Sequence, residues 1–158
     1  MVQYYLDLSN EHCNYLLKTI FNPIINSPIN NITEAKIREE NNNYILTIKY
    51  GENYIREKLE AKIDKERANT LILEYGEYII EKNSYKIFED EHHKIDIDEY
   101  YNIKVGGKPL IICIMYYDNE NKKDAKKYLL EKLNITDFED ITENLSYKNR
   151  NLSRYNKL

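Results

Sequence analysis

Alternation of apolar and polar residues constrains this chain more than any other feature. Successive side chains of a strand point to opposite faces, so a period of two predicts half-buried strands. The alternation or a strand-like composition marks segments 2–8, 33–40, 44–50, 54–63, 77–89, 93–103 and 109–117. Short turns such as Asn41–Asn43 and Gly106-Gly107 separate neighbouring segments, which favours antiparallel pairing.

These strands predict an α+β fold built on a closed antiparallel eight-stranded β-barrel, or tunnel, with flanking helices. About eight strands close a small barrel and leave no exposed edge. An open sheet would show the same alternation. The flanking helices are expected at 10–21 after a Ser9 cap, at 64–75 after an Asp64 cap, at 124–133 and near the C-terminus. Without a repeat or linker, we expect residues 1–158 to form a single domain.

Charge and composition limit the possible partners and the compartment. A net charge of −4 argues against binding to a DNA or RNA duplex. No apolar run reaches the roughly 18 residues of a membrane span, and the N-terminus does not resemble an export signal. Cys13 and Cys113 form no motif and are expected to be free thiols. These features and a composition rich in Asn, Ile, Lys and Tyr predict a location in the cytoplasm of a low-GC bacterium, or of a host cell if the protein is viral.

Cations are concentrated on the polar side of the predicted strands. Parity places Lys36 and Arg38 on the face opposite Ala35 and Ile37, and the other strands follow the same rule. The charged residues assigned to the polar faces are Lys36, Arg38, Lys49, Arg56, Lys58, Glu60, Lys62, Lys82, Lys86, Asp96 and Asp98. One interpretation is an ordinary solvent-exposed face. The other is a wet barrel interior that binds a polyphosphate, because arginine grips phosphate oxygens bidentately and lysine acts as a point charge.

The middle of the chain, AKIREENNNYILTIKYGENYIREKLEAKI, resembles the CYTH (triphosphate tunnel) family. The similarity continues in IIEKNSYKI, KIDIDEY and LSYKNRNL. It implies an eight-stranded tunnel that binds triphosphate-bearing substrates, as metal-dependent triphosphatases and class IV adenylyl cyclases do. The basic positions that the resemblance matches are Lys36, Arg38, Lys49, Arg56 and Lys82, and it matches Glu60 and Asp98 among the acids.

The chain departs from this family where the family binds metal. The first strand of the family carries E-x-E-x-K, whereas this chain has VQYYLDL, and a late E-x-E is replaced around Cys113-Ile114-Met115. Lys58 and Ser84 also replace a family glutamate and arginine. Mg²⁺ and Mn²⁺ need hard oxygen ligands, chiefly carboxylates. We therefore expect no cofactor. The alternative is an Mg²⁺ or Mn²⁺ ion held by Glu60, Asp96 and Asp98.

These observations predict a catalytically degenerate tunnel protein that binds a phosphate-rich nucleotide or polyphosphate and holds it intact. Such a protein could sequester a nucleotide signal, for example as a viral anti-defence protein. The predicted ligand-binding residues are Lys36, Arg38, Lys49, Arg56, Lys58, Glu60, Lys82, Lys86, Asp96 and Asp98. The alternatives are an active metal-dependent triphosphatase or cyclase, and a structural module whose cations are neutralised by internal ion pairs. His92-His93 is interpreted as part of a solvated turn and not as a zinc site.

Overall fold

The computed structural model describes residues 1–23, 29–51, 57–147 and 149–152. The strands are β1 (Val2–Leu6), β2 (Ile32–Glu40), β3 (Asn43–Tyr50), β4 (Glu57–Ile63), β5 (Gly76–Glu89), β6 (His93–Val105) and β7 (Lys108–Tyr117). The helices are α1 (Glu11–Phe21), α2 (Lys65–Tyr75), α3 (Lys122–Leu133) and the short α4 (Asn149–Leu152), with a 3₁₀ turn at Leu145–Tyr147. The predicted C-terminal helix is thus represented by short pieces, and the rest of it lies outside the described residues.

The fold is α+β, as predicted, with seven antiparallel strands in the hydrogen-bonded order β4-β3-β2-β1-β5-β6-β7. The described residues do not form the expected closed eight-stranded barrel. They form seven strands, and β4 does not pair with β7. Closure requires a long-range pairing between the two ends of the strand order. Alternation along each strand is the same in an open sheet and a closed one, so the sequence pattern could not decide the matter.

The chain divides into two compact units within β5. The first comprises Met1–Glu81 with Asn149–Leu158, and the second comprises Lys82–Lys148. Strand β1 pairs with the first half of β5, from Gly76 to Glu81, and β6 pairs with the second half, from Lys82 onward. The single tunnel domain remains a prediction.

The first unit has its core on one face of strands β2 and β3. Leu17 and Phe21 of α1 are fully buried in the same cluster as Ile37 and Leu46, and α2 adds Leu71. Side chains of this size stabilise the fold by about 1.5–3 kcal/mol each when they leave water. The alternation therefore sets the buried side of these strands, as the sequence analysis predicted.

Turn and cap residues fix where these elements begin and end. The two-residue turn between β2 and β3 places Asn41 and Asn42 at φ 52° and 64°, a conformation that asparagine tolerates. Asp64 caps α2 as predicted, and its Oδ1 accepts the Arg67 N–H at 2.7 Å. The Ser9 cap was wrong by one residue. Asn10 caps α1 instead, because its side chain accepts the N–H groups of His12 and Cys13.

In the second unit, β5, β6 and β7 form consecutive hairpins, and α3 follows. Gly106 and Gly107 adopt positive φ values of 60° and 80° in the tight β6–β7 turn. Ala125 and Leu129 of α3 are buried. Both cysteines are free, with Cys13 buried and Cys113 partly buried. Within the described ranges, no helix has the length and apolar character needed to cross a bilayer.

Leu17→Ala should lower the free energy of unfolding by about 2–5 kcal/mol, because it opens a cavity in the core of the first unit. Leu73→Ala is the matched control, since Leu73 is also helical but 87% exposed. Urea denaturation of the two variants measures the difference. Equal destabilisation by the two substitutions would contradict the assignment of the core.

Candidate functional site

The side of β2, β3 and β4 that lies opposite the core is rich in cations. Cross-strand register places Lys36 opposite Thr47 and Thr47 opposite Glu60, so all three share this side. We call it the basic face, and it comprises Glu34, Lys36, Arg38, Glu40, Ile45, Thr47, Lys49, Lys58, Glu60 and Lys62. It holds five cations and three carboxylates in a chain of net charge −4. The uneven charge predicted from the sequence is therefore present on these strands.

Two lysines of the basic face are already paired with carboxylates. Lys49 Nζ lies 3.4 Å from Glu34 Oε2, and Lys58 Nζ lies 3.1 Å from Glu60 Oε1. The hydrogen bond from Lys58 lowers the pKa of Glu60, and the charge of Arg38 adds to this effect. Thr47 donates to the same Glu60 oxygen at 3.4 Å. Glu60 therefore stays ionised and neutralises part of the local positive charge.

In the part of the chain that the structure describes, the basic face has three further cations, Lys36, Arg38 and Lys62. Arg38 and Lys62 form no ion pair there, and Lys36 Nζ lies 5.9 Å from the centre of the Tyr5 ring. Lys62 is exposed, while Lys36 and Arg38 are half-buried. Arg38 and Lys62 are therefore the side chains of the basic face best able to bind an anion.

Strand β1 continues this side of the sheet with neutral residues. Gln3 lies opposite Arg38 and Tyr5 opposite Lys36, and both β1 side chains are only 4% exposed. The Tyr5 hydroxyl donates to Gln3 Oε1 at 3.3 Å. Asp7, the residue that follows β1 in sequence, accepts hydrogen bonds from the backbone and the hydroxyl of Ser9.

These residues do not fit the divalent cation that the family resemblance implies. Strand β1 offers an amide and a phenol where carboxylates would be needed, and β7 presents Ile112 and Ile114 on the side of Asp96 and Asp98. No cluster of three or more histidine, cysteine or acidic side chains suited to a metal occurs in the described residues.

The second unit contains a buried ion pair between Lys82 and Asp98. Their side chains are 11% and 8% exposed, and Lys82 Nζ lies 3.2 Å from Asp98 Oδ2. Ser84 donates to the other oxygen, Oδ1, at 2.5 Å. Lys82 Nζ also lies 5.6 Å from the centre of the Tyr100 ring. Burial, together with the charge of Asp98, raises the pKa of Tyr100, so this phenol stays neutral. Asp98 thus orients Lys82, and both of its oxygens are occupied.

Lys86 and Asp96 lie next to this pair but differ from it in their contacts. Lys86 Nζ is 2.9 Å from Glu89 Oε2, and both side chains are more than half exposed. Asp96 Oδ2 is 3.4 Å from Lys94 Nζ. Its other oxygen, Oδ1, is buried without a hydrogen-bond partner among the described residues.

The predicted site residues therefore fall into two groups. Those on the basic face of the first unit are Lys36, Arg38, Lys49, Lys58 and Glu60. Those of the second unit are Lys82, Lys86, Asp96 and Asp98. Arg56 lies outside the described residues.

The sequence analysis missed a histidine that is held by two carboxylates. His93 begins β6, and its side chain is only 12% exposed. Its Nδ1 lies 3.0 Å from Asp90 Oδ1, and its Nε2 lies 2.5 Å from Glu120 Oε1. The ring stacks on Tyr128 of α3 at 3.6 Å between centroids, and the Tyr128 hydroxyl donates to Asp90 at 2.8 Å. We call these four residues the His93 clamp.

Contacts on both ring nitrogens favour the charged imidazolium. Burial alone would lower the pKa of His93, but hydrogen bonds to Glu120 and Asp90 outweigh it and raise the pKa. Hydrogen bonds from Tyr128, His92 and His93 lower the pKa of Asp90 to about 2. A solvated turn was the wrong interpretation for His93. The ring is held by Asp90, 3 residues before it, and by Glu120, 27 residues after it. A residue as distant as Glu120 leaves no signal in the local sequence.

Lys82→Met should lower the free energy of unfolding by about 3 kcal/mol, because it leaves Asp98 buried without its cation. Lys82→Met combined with Asp98→Leu should recover most of this loss. Lys86→Met is the control and should leave stability unchanged, since its ion pair is exposed. Urea titrations decide the matter, and a Lys82→Met protein as stable as the wild type would show that the pair is solvated.

The His93 clamp should make stability depend on pH near neutrality. A raised pKa in the folded state stabilises the fold fully below the unfolded pKa of about 6.5 and progressively less as the pH rises through the folded value. The melting temperature should therefore fall between pH 6 and pH 9, and His93→Gln should weaken this dependence. His12→Gln, which changes an exposed histidine, is the control. An unaltered pH profile in His93→Gln would refute a charged clamp.

Comparison with known proteins gives a likeness of fold. The structure resembles the crystal structure of the hypothetical protein NE1496 with a TM-score of 0.55 at 19% sequence identity, over 96% of this chain and 82% of that chain. No protein-family model matches the sequence, and no curated protein matches it. At this level of identity the likeness concerns the architecture alone.

Proposed function

We propose that the basic face binds a phosphate-rich nucleotide or a linear polyphosphate and holds it without turnover. The observation that carries the proposal is the excess of five cations over three carboxylates on one side of three adjacent strands in an acidic chain. A surface that served only solubility would intersperse both signs more evenly, because like charges on neighbouring strands repel one another. An anionic ligand removes this repulsion.

The chemistry of the exposed cations suits phosphate. Arg38 is half-buried and forms no ion pair among the described side chains, so its guanidinium is available for bidentate contacts with phosphate oxygens. Lys36 lies two residues from Arg38 along β2, Lys62 lies in register with Arg38 two strands away, and both supply point charges. Glu60 and Glu34 hold Lys58 and Lys49 in place beside this surface.

Binding without turnover follows from the side chains that β1 and β7 present. Phosphoryl transfer depends on metal ions that neutralise the developing charge, and the residues of β1 and β7 do not fit one. A relationship to the CYTH family belongs to the same proposal. A ligand held in this way is removed from solution, which is the basis for proposing sequestration of a nucleotide signal, including an anti-defence role.

Arg38→Gln should weaken binding of tripolyphosphate or ATP roughly tenfold, because it removes one charge-assisted contact. Arg67→Gln is the matched control, since Arg67 is an exposed arginine on α2. Isothermal titration at low salt measures both. Equal affinities in the two variants would place the ligand away from the basic face.

The fate of the ligand separates binding from catalysis. We expect the protein to deplete a member of a panel of ATP, GTP, tripolyphosphate and cyclic oligonucleotides, and to release it chemically unchanged on heating. Incubation with and without Mn²⁺, followed by mass spectrometry, makes the measurement. Mn²⁺-dependent conversion to a diphosphate or a cyclic monophosphate would instead support the triphosphatase or cyclase alternative. Depletion of no ligand would favour the structural module.

A further inference from the structure

Strand β7 has an apolar edge without a strand partner in the described part of the chain. It pairs with β6 on one side and stands at the end of the strand order. Residues 110–117, with the sequence LIICIMYY, contain no charge and no proline. Edge strands of natural proteins usually carry charges, prolines or bulges that discourage pairing. Here Lys108 and Pro109 protect only the first two positions of the strand.

Large side chains of β7 are exposed on both faces of the sheet. Ile111 is 60% exposed, Tyr116 is 55% exposed and Tyr117 is 41% exposed. Ile111 and Tyr117 lie on one face, while Tyr116 lies on the other, because strand residues alternate. A strand added along this edge would cover apolar side chains on both faces and would also satisfy the unpaired backbone groups.

The charges at the two ends of β7 complement each other when the strand pairs antiparallel with itself. If Cys113 lies opposite Cys113 of a second copy, Lys108 of each copy lies opposite Asp118 of the other. The pairs between them, such as Ile111 with Met115 and Leu110 with Tyr116, are apolar. A shift of two residues places Asp118 opposite Leu110 or Gly106, so the Cys113-centred register is the one that pairs both charged ends.

We propose that β7 is the interface of a homodimer, in which two copies pair antiparallel about Cys113 and extend the sheet across a two-fold axis. Such an interface is self-complementary, so one strand supplies both halves of it. Pairing also removes the exposed edge that would otherwise promote open-ended aggregation.

Sedimentation equilibrium of the full chain tests the proposal. The wild type should be a dimer that dissociates on dilution. Ile111→Lys should weaken the dimer at least tenfold, since it places an edge charge at an exposed position that the monomer tolerates. Circular dichroism checks that the variant is folded. A wild-type protein that is monomeric at high micromolar concentration overturns the proposal.

Charge exchange tests the register. Lys108→Glu should weaken the dimer on the order of tenfold, because it places like charges opposite each other at both ends. Asp118→Lys should do the same. The double variant, Lys108→Glu with Asp118→Lys, should dimerise better than either single variant, although it also loses the 2.7 Å contact between Asp118 and His92. Absence of any such recovery overturns the register.

A thiol-specific cross-linker gives an independent measurement. A short bis-maleimide should link two chains through Cys113, and Cys113→Ser should abolish the product. Cys13→Ser should not affect it, because Cys13 is fully buried. A dimer that does not cross-link, or that cross-links equally well after Cys113→Ser, refutes pairing about Cys113.

Discussion

The cross-strand register of β2, β3 and β4 is the constraint on which the first unit depends. Ala35 and Ile37 pair with Ile48 and Leu46, and these four side chains are almost completely buried beneath α1 and α2. A slip of one residue would turn the lysines of these strands into the core. The basic face is therefore a consequence of the core, because the same alternation that buries one side presents the other.

The ion pairs of the two units differ in how far they are exposed to solvent. On the basic face, Lys58 and Glu60 remain about half exposed, so their attraction is screened and their hydration is largely retained. Between Lys82 and Asp98, water is mostly excluded, and the pair persists because Ser84 satisfies the second carboxylate oxygen. The first arrangement can exchange a carboxylate for a phosphate at little cost. The second would have to break a buried pair before it could bind an external anion.

The sequence of strand β7 bears both on metal binding and on the proposed dimer. The family resemblance leads one to expect carboxylates near Cys113, and the chain has apolar residues there. The side that carries Asp96 and Asp98 presents Ile112 and Ile114 from β7 and does not fit a divalent cation. The same residues leave the outer edge without charges that would discourage pairing. One apolar segment thus bears on both chemistry and assembly.

The sequence by itself determined the features that rest on local patterns. These include the strands and their buried sides, the Asp64 cap, the Asn41-Asn42 turn and the concentration of cations on one side of β2–β4. Alternation, capping and turn preference involve residues only a few positions apart, so they can be read without knowing the fold. The Ser9 cap was missed by one position because Ser9 and Asn10 are both good capping residues.

Tertiary structure alone decided which distant groups meet. The pairing of Lys82 with Asp98, the burial of His93 against Glu120 and Tyr128, and the order of strands that leaves β4 and β7 unpaired with each other all join residues far apart in the chain. Such contacts follow from register and packing over the whole sheet. A lysine or histidine therefore has the same local sequence signal whether it faces solvent, a phosphate or a buried carboxylate.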